Sequence, residues 1–202
     1  MGLSLGCYLG CTMKQYLYRS QKGFSLLEIL TALGIISIIL GMAILNYGSI
    51  LPNYKANSAM DQLLYRLRSA REQAIAHRRQ VQVEFVGNNQ IRITELWLTG
   101  TPPPSTTFTF EGGAQYVTFP GIPDTPMAFG NGAPIYFEGL SGGPPLMKFT
   151  TNGALIDGGN TLVNGTVFMG IPGRASTARA ITVLGSTGRV REYHWDGTQW
   201  QE

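Results

Sequence analysis

The chain has 202 residues, enough for one domain of ordinary size together with a membrane anchor. Hydrophobic residues make up 44% and charged residues 13% of the composition, which excludes an intrinsically disordered chain. The formal net charge is +3, and the basic residues Lys14, Arg19 and Lys22 all precede a long apolar run. By the positive-inside tendency, this arrangement places the N-terminus in the cytoplasm and the rest of the chain beyond the membrane.

The apolar run extends from Phe24 to Leu51 and contains a single charged side chain, Glu28. It is long enough to cross about 30 Å of hydrocarbon at about 1.5 Å per residue. A charged side chain at the centre of a membrane helix costs about 2.5–3.5 kcal/mol on insertion scales, and less near one end. A plain anchor has no use for this carboxylate, so we expect Glu28 to meet a partner after processing.

The residues around this carboxylate read Lys22-Gly23-Phe24-Ser25-Leu26-Leu27-Glu28. This segment resembles the N-terminal signature of type IV pilins and of the pseudopilins of type II secretion. The resemblance implies that a membrane-embedded prepilin peptidase cuts after Gly23 and methylates the new amine on Phe24. It also implies that Glu28 pairs with the terminal amine of a neighbouring subunit during assembly.

Cleavage after Gly23 defines residues 1–23 as a leader peptide and residues 24–51 as a transmembrane or filament-core helix. The leader carries three basic residues and no acidic residue, so the mature chain has twelve basic and twelve acidic side chains. Both cysteines also lie in the leader, which leaves the mature chain without any disulfide. The start of translation, at Met1 or at Met13, is left open.

After Pro52 the apolar residues recur at intervals of three and four, as on one face of a helix. They are Met60, Leu63, Leu64, Leu67, Ala70, Ala74 and Ile75. The pattern predicts an amphipathic stem helix over residues 52–80 that ends near Arg79. The weak helix formers of the segment 46–49 are a candidate position for a bend before the stem.

Beyond the stem, residues 81–202 read as a β-rich globular head. Val81, Val83 and Phe85 alternate with polar residues, and Gly87-Asn88-Asn89 then leads into a second strand, as in a β-hairpin. Short β-rich segments separated by Gly and Pro follow at 108–110, 116–119, 135–137, 146–150, 166–169, 180–184 and 190–195. We therefore predict an α+β fold in which a long N-terminal helix packs on an antiparallel β-sheet, as the resemblance to type IV pilins also implies.

The C-terminal half of the chain indicates which subgroup of the pilin-like proteins the sequence resembles. The segment 149–155, a strand around Phe168, and Ala180-Ile181-Thr182-Val183 leading into Gly188-Arg189-Val190-Arg191 are similar to the GspH/FimT group of minor pseudopilins. No resemblance covers residues 98–146.

The residue types do not favour an enzyme. The mature chain has no cysteine, its histidines His77 and His194 lie far apart in sequence, and no metal-ligand cluster, phosphate loop or nucleophile elbow is present. We therefore expect no catalysis, no cofactor and no metal ion.

The remaining candidate site is basic. Arg189 and Arg191 are two residues apart on a predicted strand, so their side chains share one face, and Arg174 and Arg179 precede them nearby. No acidic residue occurs between Asp157 and Glu192. In FimT-like minor pilins of DNA-uptake pili a Gly-Arg-x-Arg tail is implicated in DNA binding, and Gly188 to Arg191 resembles it. Such arginines would hold phosphates without reading bases. The alternative is that they face water or pair with acidic groups of a neighbouring subunit.

Three functions follow from these observations. The first is a structural subunit of a type II secretion pseudopilus. The second is a minor subunit of a type IV pilus that contributes to DNA uptake. The third is a signal-anchored extracytoplasmic binding protein that never polymerises. The first two imply other pilin or pseudopilin subunits, the prepilin peptidase, the inner-membrane assembly platform and the membrane as partners, with DNA added in the second. They place the chain in the inner membrane by a single pass, with a periplasmic head, before it joins the filament.

Overall fold

A computed structural model of the chain describes residues 23–97, 104–138 and 146–202. Residues 1–22 of the predicted leader, including Lys22 of the signature, lie outside the described residues. Residues 98–103 and 139–145, which belong to the region without any family resemblance, lie outside them as well.

A single α-helix, α1, runs from Leu26 to Ala76. It begins after Ser25, whose carbonyl accepts hydrogen bonds from the amides of Glu28 at 3.0 Å and Ile29 at 3.2 Å. Pro52 lies inside the helix, where its missing N–H removes one backbone hydrogen bond, yet the helix continues on both sides. The helix ends three residues before the predicted Arg79, and Arg78 takes a positive φ of 52° just beyond it.

The chain divides into two compact units, at residues 1–45 and 46–202. In the described part of the first unit, Leu26–Ile44 is long and apolar enough to cross a membrane, and none of it is buried in the structure. The predicted division at residue 52 is not marked by any break in α1.

In the second unit, α1 presents one buried face with the predicted spacing. The buried residues are Ala56, Ala59, Met60, Leu63, Leu64, Leu67, Ala70 and Ala74. Ile75, which the pattern also assigned to this face, is 41% exposed and lies at the edge of the face, beside buried Ala74. Burying a leucine such as Leu63 or Leu67 contributes about 1.5–3 kcal/mol, so this face holds the helix to the head.

Within the described residues, eleven short strands form two antiparallel sheets. They are β1 (Val81–Val86), β2 (Gln90–Glu95), β3 (Ser105–Thr109), β4 (Gln115–Tyr116), β5 (Ile135–Phe137), β6 (Leu146–Phe149), β7 (Leu155–Ile156), β8 (Gly165–Gly170), β9 (Arg179–Leu184), β10 (Arg189–Trp195) and β11 (Trp200–Gln201). The first sheet has the order β3-β2-β1-β6-β7 and the second has the order β11-β10-β9-β8-β4, with β5 also paired to β8. A short 3₁₀ helix at Ala175–Thr177 lies between β8 and β9.

The main core joins the buried face of α1 to inward side chains of both sheets, including Phe85, Phe137, Met147, Phe149 and Ile181. A smaller cluster contains Phe168, Ala178, Ala180, Tyr193 and Trp200. Residues alternate between the two clusters along β8 and β9, because successive side chains of a strand point to opposite faces of the sheet. The predicted α+β architecture of a helix packed on antiparallel sheet is confirmed.

The strand boundaries differ from the prediction in three ways. The strand predicted at 108–110 is β3, which begins three residues earlier, at Ser105. The segment predicted at 116–119 is a strand only at Gln115–Tyr116, although the amide of Val117 still donates to the carbonyl of Phe168 at 3.2 Å. The strands β7 and β11 were not predicted, because two residues are too short to show an alternating pattern.

Candidate functional site

The predicted cleavage position lies immediately before α1. Gly23 has open space around its Cα, with no atom within 4 Å of the position a Cβ would take. The side chain of Phe24 is 77% exposed, and Ser25 separates it from the first helical residue. The described residues therefore leave open space beside Gly23 and an exposed side chain at Phe24, the two residues of the predicted cleavage position.

Glu28 lies in the first turn of α1, where the positive end of the helix dipole favours a carboxylate. Its carbonyl accepts a hydrogen bond from the hydroxyl of Thr31 at 2.9 Å, while its carboxylate is exposed. The ion pairs formed within the described residues all lie between His77 and Glu202, so none involves Glu28. The carboxylate is left available for a cation supplied from outside.

The predicted basic tail is a β-hairpin formed by β9 and β10. Gly188 closes its turn with a positive φ of 61°, which favours glycine. In the register of the two strands, Arg189 lies opposite Leu184 and Arg191 lies opposite Thr182. Directly opposite residues share a face, so Arg189 and Arg191 lie on the same side of the sheet, as their spacing predicts.

The two arginines of this hairpin differ in availability. Arg189 is exposed and its side chain makes no ion pair with any described residue. Arg191 is partly buried and forms an ion pair with Glu202 at 3.1 Å, and its Nε is buried without a hydrogen-bond partner. Arg189 is therefore the more available of the two for an external anion.

Arg179 lies elsewhere. It pairs with His194 of β10 and shares the sheet face of Ile181, which packs towards α1. Arg189 and Arg191 lie on the opposite face of the same sheet. Arg179 is buried, and its Nε donates a hydrogen bond to Asn57 Oδ1 of the stem at 2.7 Å. Burial lowers the pKa of the Arg179 guanidinium below its ordinary value. The structure thus gives Arg179 the geometry of a contact between the helix and the sheet.

Arg174 also lies apart from the hairpin. It is exposed, and it donates from Nη1 to the carbonyl of Gly48 in α1 at 3.3 Å. The hairpin turn instead contacts α1 at Arg71, and the helix between Gly48 and Arg71 is about 35 Å long at about 1.5 Å per residue. Of the four predicted arginines, the structure brings together only Arg189 and Arg191.

A residue that the sequence did not single out organises the hairpin. Arg71 Nε lies within hydrogen-bond distance of the carbonyls of Gly153, at 3.2 Å, and Thr187, at 3.1 Å. It therefore joins the turn of the β6–β7 hairpin to the turn of the β9–β10 hairpin. Its position one helical turn after buried Leu67, at the border of the apolar face, is the sequence signal that could have identified it.

The two turns approach each other closely around Arg71. Both Gly153 and Gly188 have positive φ angles, of 83° and 61°. A Cβ on Gly188 would collide with the carbonyl oxygen of Gly153, and one on Gly153 would lie 3.0 Å from Arg71 Nε. The two segments that carry the resemblance to the GspH/FimT group therefore meet at one point of the fold.

This meeting point borders an open cleft of about 440 Å³, which we call the arginine cleft. Its lining residues are Arg68, Arg71, Glu72, Thr187, Gly188, Arg189 and Val190. The lining contains three arginines and one acidic residue, and within the described residues neither Arg68 nor Arg189 has an acidic partner. The arrangement can hold an anion such as a phosphate or a carboxylate.

Two aromatic side chains near the tail, those of Tyr193 and Trp200, are too buried to stack on a nucleic-acid base. Tyr193 and Trp200 are 3% and 9% exposed, and both belong to the smaller core cluster. Trp200 Nε1 donates to the carbonyl of Pro123 at 2.8 Å, and Trp195 packs edge-on against the Trp200 ring. These side chains cover the outer face of the second sheet.

The predicted N-terminal signature is confirmed by a comparison with protein families. A protein-family model described as "Prokaryotic N-terminal methylation motif" matches residues 18–44. No curated protein matches the chain.

Two solved structures are similar to the chain. The type IV minor pilin FimU of Pseudomonas aeruginosa strain PAO1 has a TM-score of 0.47 at 16% identity, over 74% of this chain and 94% of that one. The minor pseudopilin EpsH from the Type 2 Secretion System of Vibrio cholerae has a TM-score of 0.43 at 14% identity, over 69% of this chain and 97% of that one.

Proposed function

We propose that the chain is a minor pilin or pseudopilin, a structural subunit of a type IV filament machine, and that it works in a type II secretion pseudopilus. The observation that carries this proposal is the methylation motif over residues 18–44, with Glu28 as the only charged side chain inside the apolar part of α1. The chain would act by assembly with other pilin-like subunits, without catalysis and without a cofactor.

The sequence of events follows from the chemistry of the N-terminus. The chain inserts in the inner membrane by a single pass, with residues 46–202 on the periplasmic side. The prepilin peptidase cuts after Gly23, which removes the basic leader and creates a new amine on Phe24, and the same enzyme methylates that amine. Methylation replaces one N–H by N–CH3, and the resulting secondary amine stays basic enough to be protonated and positively charged.

Glu28 then supplies the attraction that drives assembly. A lone carboxylate in hydrocarbon is unfavourable, and a cationic amine beside it relieves that cost. Glu28 has no cationic partner among the described residues of its own chain. The N-terminal amine that cleavage creates on a neighbouring subunit can provide one. Assembly is thereby restricted to processed subunits, and the inner-membrane assembly platform is where they would meet.

Mass spectrometry of the N-terminus, on protein purified from its native host, tests this proposal. We expect a chain that begins at Phe24 and carries one additional methyl group on its amine. A chain that keeps residues 1–23 would overturn the proposal and would favour a signal-anchored protein that never polymerises.

A second function, DNA binding by a type IV pilus minor subunit during uptake, is favoured by the arginine cleft. Arg68, Arg71 and Arg189 are among its lining residues, and arginine contacts with phosphates are independent of base sequence. The proposal for this cleft does not include Arg174 and Arg179, because they lie outside it, at Gly48 and Asn57 of α1.

A salt titration of DNA retention by the full chain in detergent tests this second function. Each lost phosphate contact should lower the slope of log K against log salt by about 0.9 for duplex DNA. We expect this change for Arg68→Ala and for Arg189→Ala, and no change for the control Arg78→Ala, which is exposed and outside the cleft. Equal slopes for all three variants would exclude the cleft as a DNA site.

A further inference from the structure

The first sheet ends in an unusually open strand. β3 (Ser105–Thr109) pairs with β2 on one side, and none of the residues that the structure describes pairs with its other side. The other terminal strands of the two sheets, β4, β7 and β11, have two residues each, and β5 has three. Among the terminal strands in the described part of the chain, β3 is therefore the longest, with five residues and one unpaired side.

The hydrogen-bond pattern identifies the backbone groups on this edge. The amide of Phe110 donates to the carbonyl of Asn89 at 2.9 Å, across the same pair of strands. Pairing alternates along an antiparallel ladder, so Phe108 and Thr106 also direct their backbone groups towards β2. The N–H and C=O groups of Ser105, Thr107 and Thr109 consequently point away from the sheet.

The edge lacks the features that usually prevent strand addition. Natural edge strands are protected by charged residues, by proline, by bulges or by short length. β3 has five residues, four of them Ser or Thr, and it contains neither a charge nor a proline. Thr and Phe both favour extended backbone, so the local sequence supports further pairing.

The strand is also held in place from both faces of the sheet. On the core face, the guanidinium of Arg66 lies 3.6 Å from the centre of the Phe108 ring. On the other face, Arg92 Nε donates to the hydroxyl of Thr107 at 3.3 Å. A strand ordered in this way loses little conformational freedom when a partner binds.

We propose that β3 is a docking edge for an extended segment of another polypeptide, which adds as a sixth strand and places a carboxylate beside Arg66. The outward N–H and C=O groups alternate along the edge, and the backbone of an extended peptide carries the matching acceptors and donors. Such a peptide would lie about 4.8 Å from β3, the usual spacing of neighbouring strands. Arg92 already has an acidic partner, Glu84 at 3.0 Å, whereas Arg66 has none among the described residues. The guanidinium of Arg66, which lacks an acidic partner among the described residues, thus favours an acidic side chain on the core face of the added strand.

A second copy of the chain fits this edge less well. Antiparallel pairing of two β3 strands about Thr107 would place Thr106 of one copy beside Phe108 of the other. That pairing would supply a hydroxyl next to Arg66 in place of a carboxylate. The charge on the edge therefore favours a different polypeptide.

The test uses the full chain in detergent and a capped heptapeptide, Thr-Val-Thr-Glu-Thr-Val-Thr, as the probe. At ten times its Kd, the peptide should slow hydrogen exchange at the amides of Ser105, Thr107 and Thr109 by about tenfold. The amides of Thr106 and Phe108 should not change, since they already donate to β2. A peptide with Lys in place of Glu should bind about fivefold more weakly.

Three variants separate strand addition from other binding. Thr107→Pro removes an outward N–H and leaves the inward ladder intact, so it should abolish protection, while Thr107→Ser should retain it. Arg66→Met keeps an apolar side chain over Phe108 and should make the Glu and Lys peptides bind equally. Protection outside β3, or unchanged binding to Thr107→Pro, would overturn the proposal. Self-association in sedimentation experiments that Thr107→Pro abolishes would also overturn it, because the occupant would then be a second copy.

Discussion

Two stretches of α1 have equal length, Leu26–Ile44 and residues 56–74, but their side chains differ in burial. None of the first stretch is buried, whereas eight residues of the second form the inner face of the head. The first is apolar on every side and the second on one side only, with polar residues elsewhere. The comparison shows that a helix with one apolar face can bury that face against its own domain. A helix that is apolar on all sides requires lipid or neighbouring helices around it.

The largest expected effect concerns the carboxylate of the first stretch. Glu28→Gln would leave a neighbour's terminal amine without its counter-charge, and such a loss typically costs 3–5 kcal/mol. We expect incorporation into filaments in the native host to fall by more than about hundredfold. Glu72→Gln removes an exposed carboxylate from the second stretch and should assemble normally. Normal assembly of the Glu28→Gln variant would contradict the proposed pairing.

The next effect concerns the buried face of the second stretch. Leu67 is fully buried in the main core, so Leu67→Ala should lower the free energy of unfolding of the head by about 2–5 kcal/mol. Ile38 is 63% exposed in the first stretch, and Ile38→Ala should change the same quantity by less than about 0.5 kcal/mol. Urea denaturation of the two full-length variants in detergent measures both values. Similar losses would show that both stretches support the head.

A smaller effect is expected at the border of the apolar face. Arg71→Ala removes the contacts with the carbonyls of Gly153 and Thr187, and charge-assisted hydrogen bonds of this kind contribute about 1.5–3 kcal/mol when fully buried. Because Arg71 is only partly buried, we expect a loss of about 1–2 kcal/mol. Arg68→Ala, an exposed arginine of the same cleft, is the matched control and should have no measurable effect.

The smallest effect appears only at high pH. Tyr116 is buried in the core and donates its hydroxyl to the carbonyl of Gln90 at 3.0 Å, and burial raises the pKa of Tyr116 far above its ordinary value. Its contribution to stability is complete below pH about 10 and declines above it by about 1.4 kcal/mol per pH unit, since only the unfolded chain ionises there.

Tyr116→Phe should remove this part of the alkaline decline, while the variant loses about 1 kcal/mol at neutral pH through the missing hydrogen bond. Denaturation of both proteins between pH 8 and about 11 measures the difference. An identical pH dependence would show that Tyr116 is ionised in the folded head.

The sequence by itself determined the features that rest on local order. The signature around Gly23 and Glu28, the apolar length of the first stretch and the three-and-four spacing of the second are all read along the chain. The hairpin at Gly87-Asn88-Asn89 is local in the same way, since two adjacent strands and a short turn specify it.

Only the tertiary structure decided where the arginines lie. The four predicted arginines lie close together in sequence. Strand alternation sends Arg179 to the face of the sheet opposite Arg189 and Arg191. Arg174 contacts α1 at Gly48, about 35 Å along the helix from Arg71, which the hairpin turn contacts. Arg71 joined the site through contacts with residues 82 and 116 positions away. A local pattern can mark Arg71 as a border residue of the apolar face, but its partners depend on how the sheets pack against the helix.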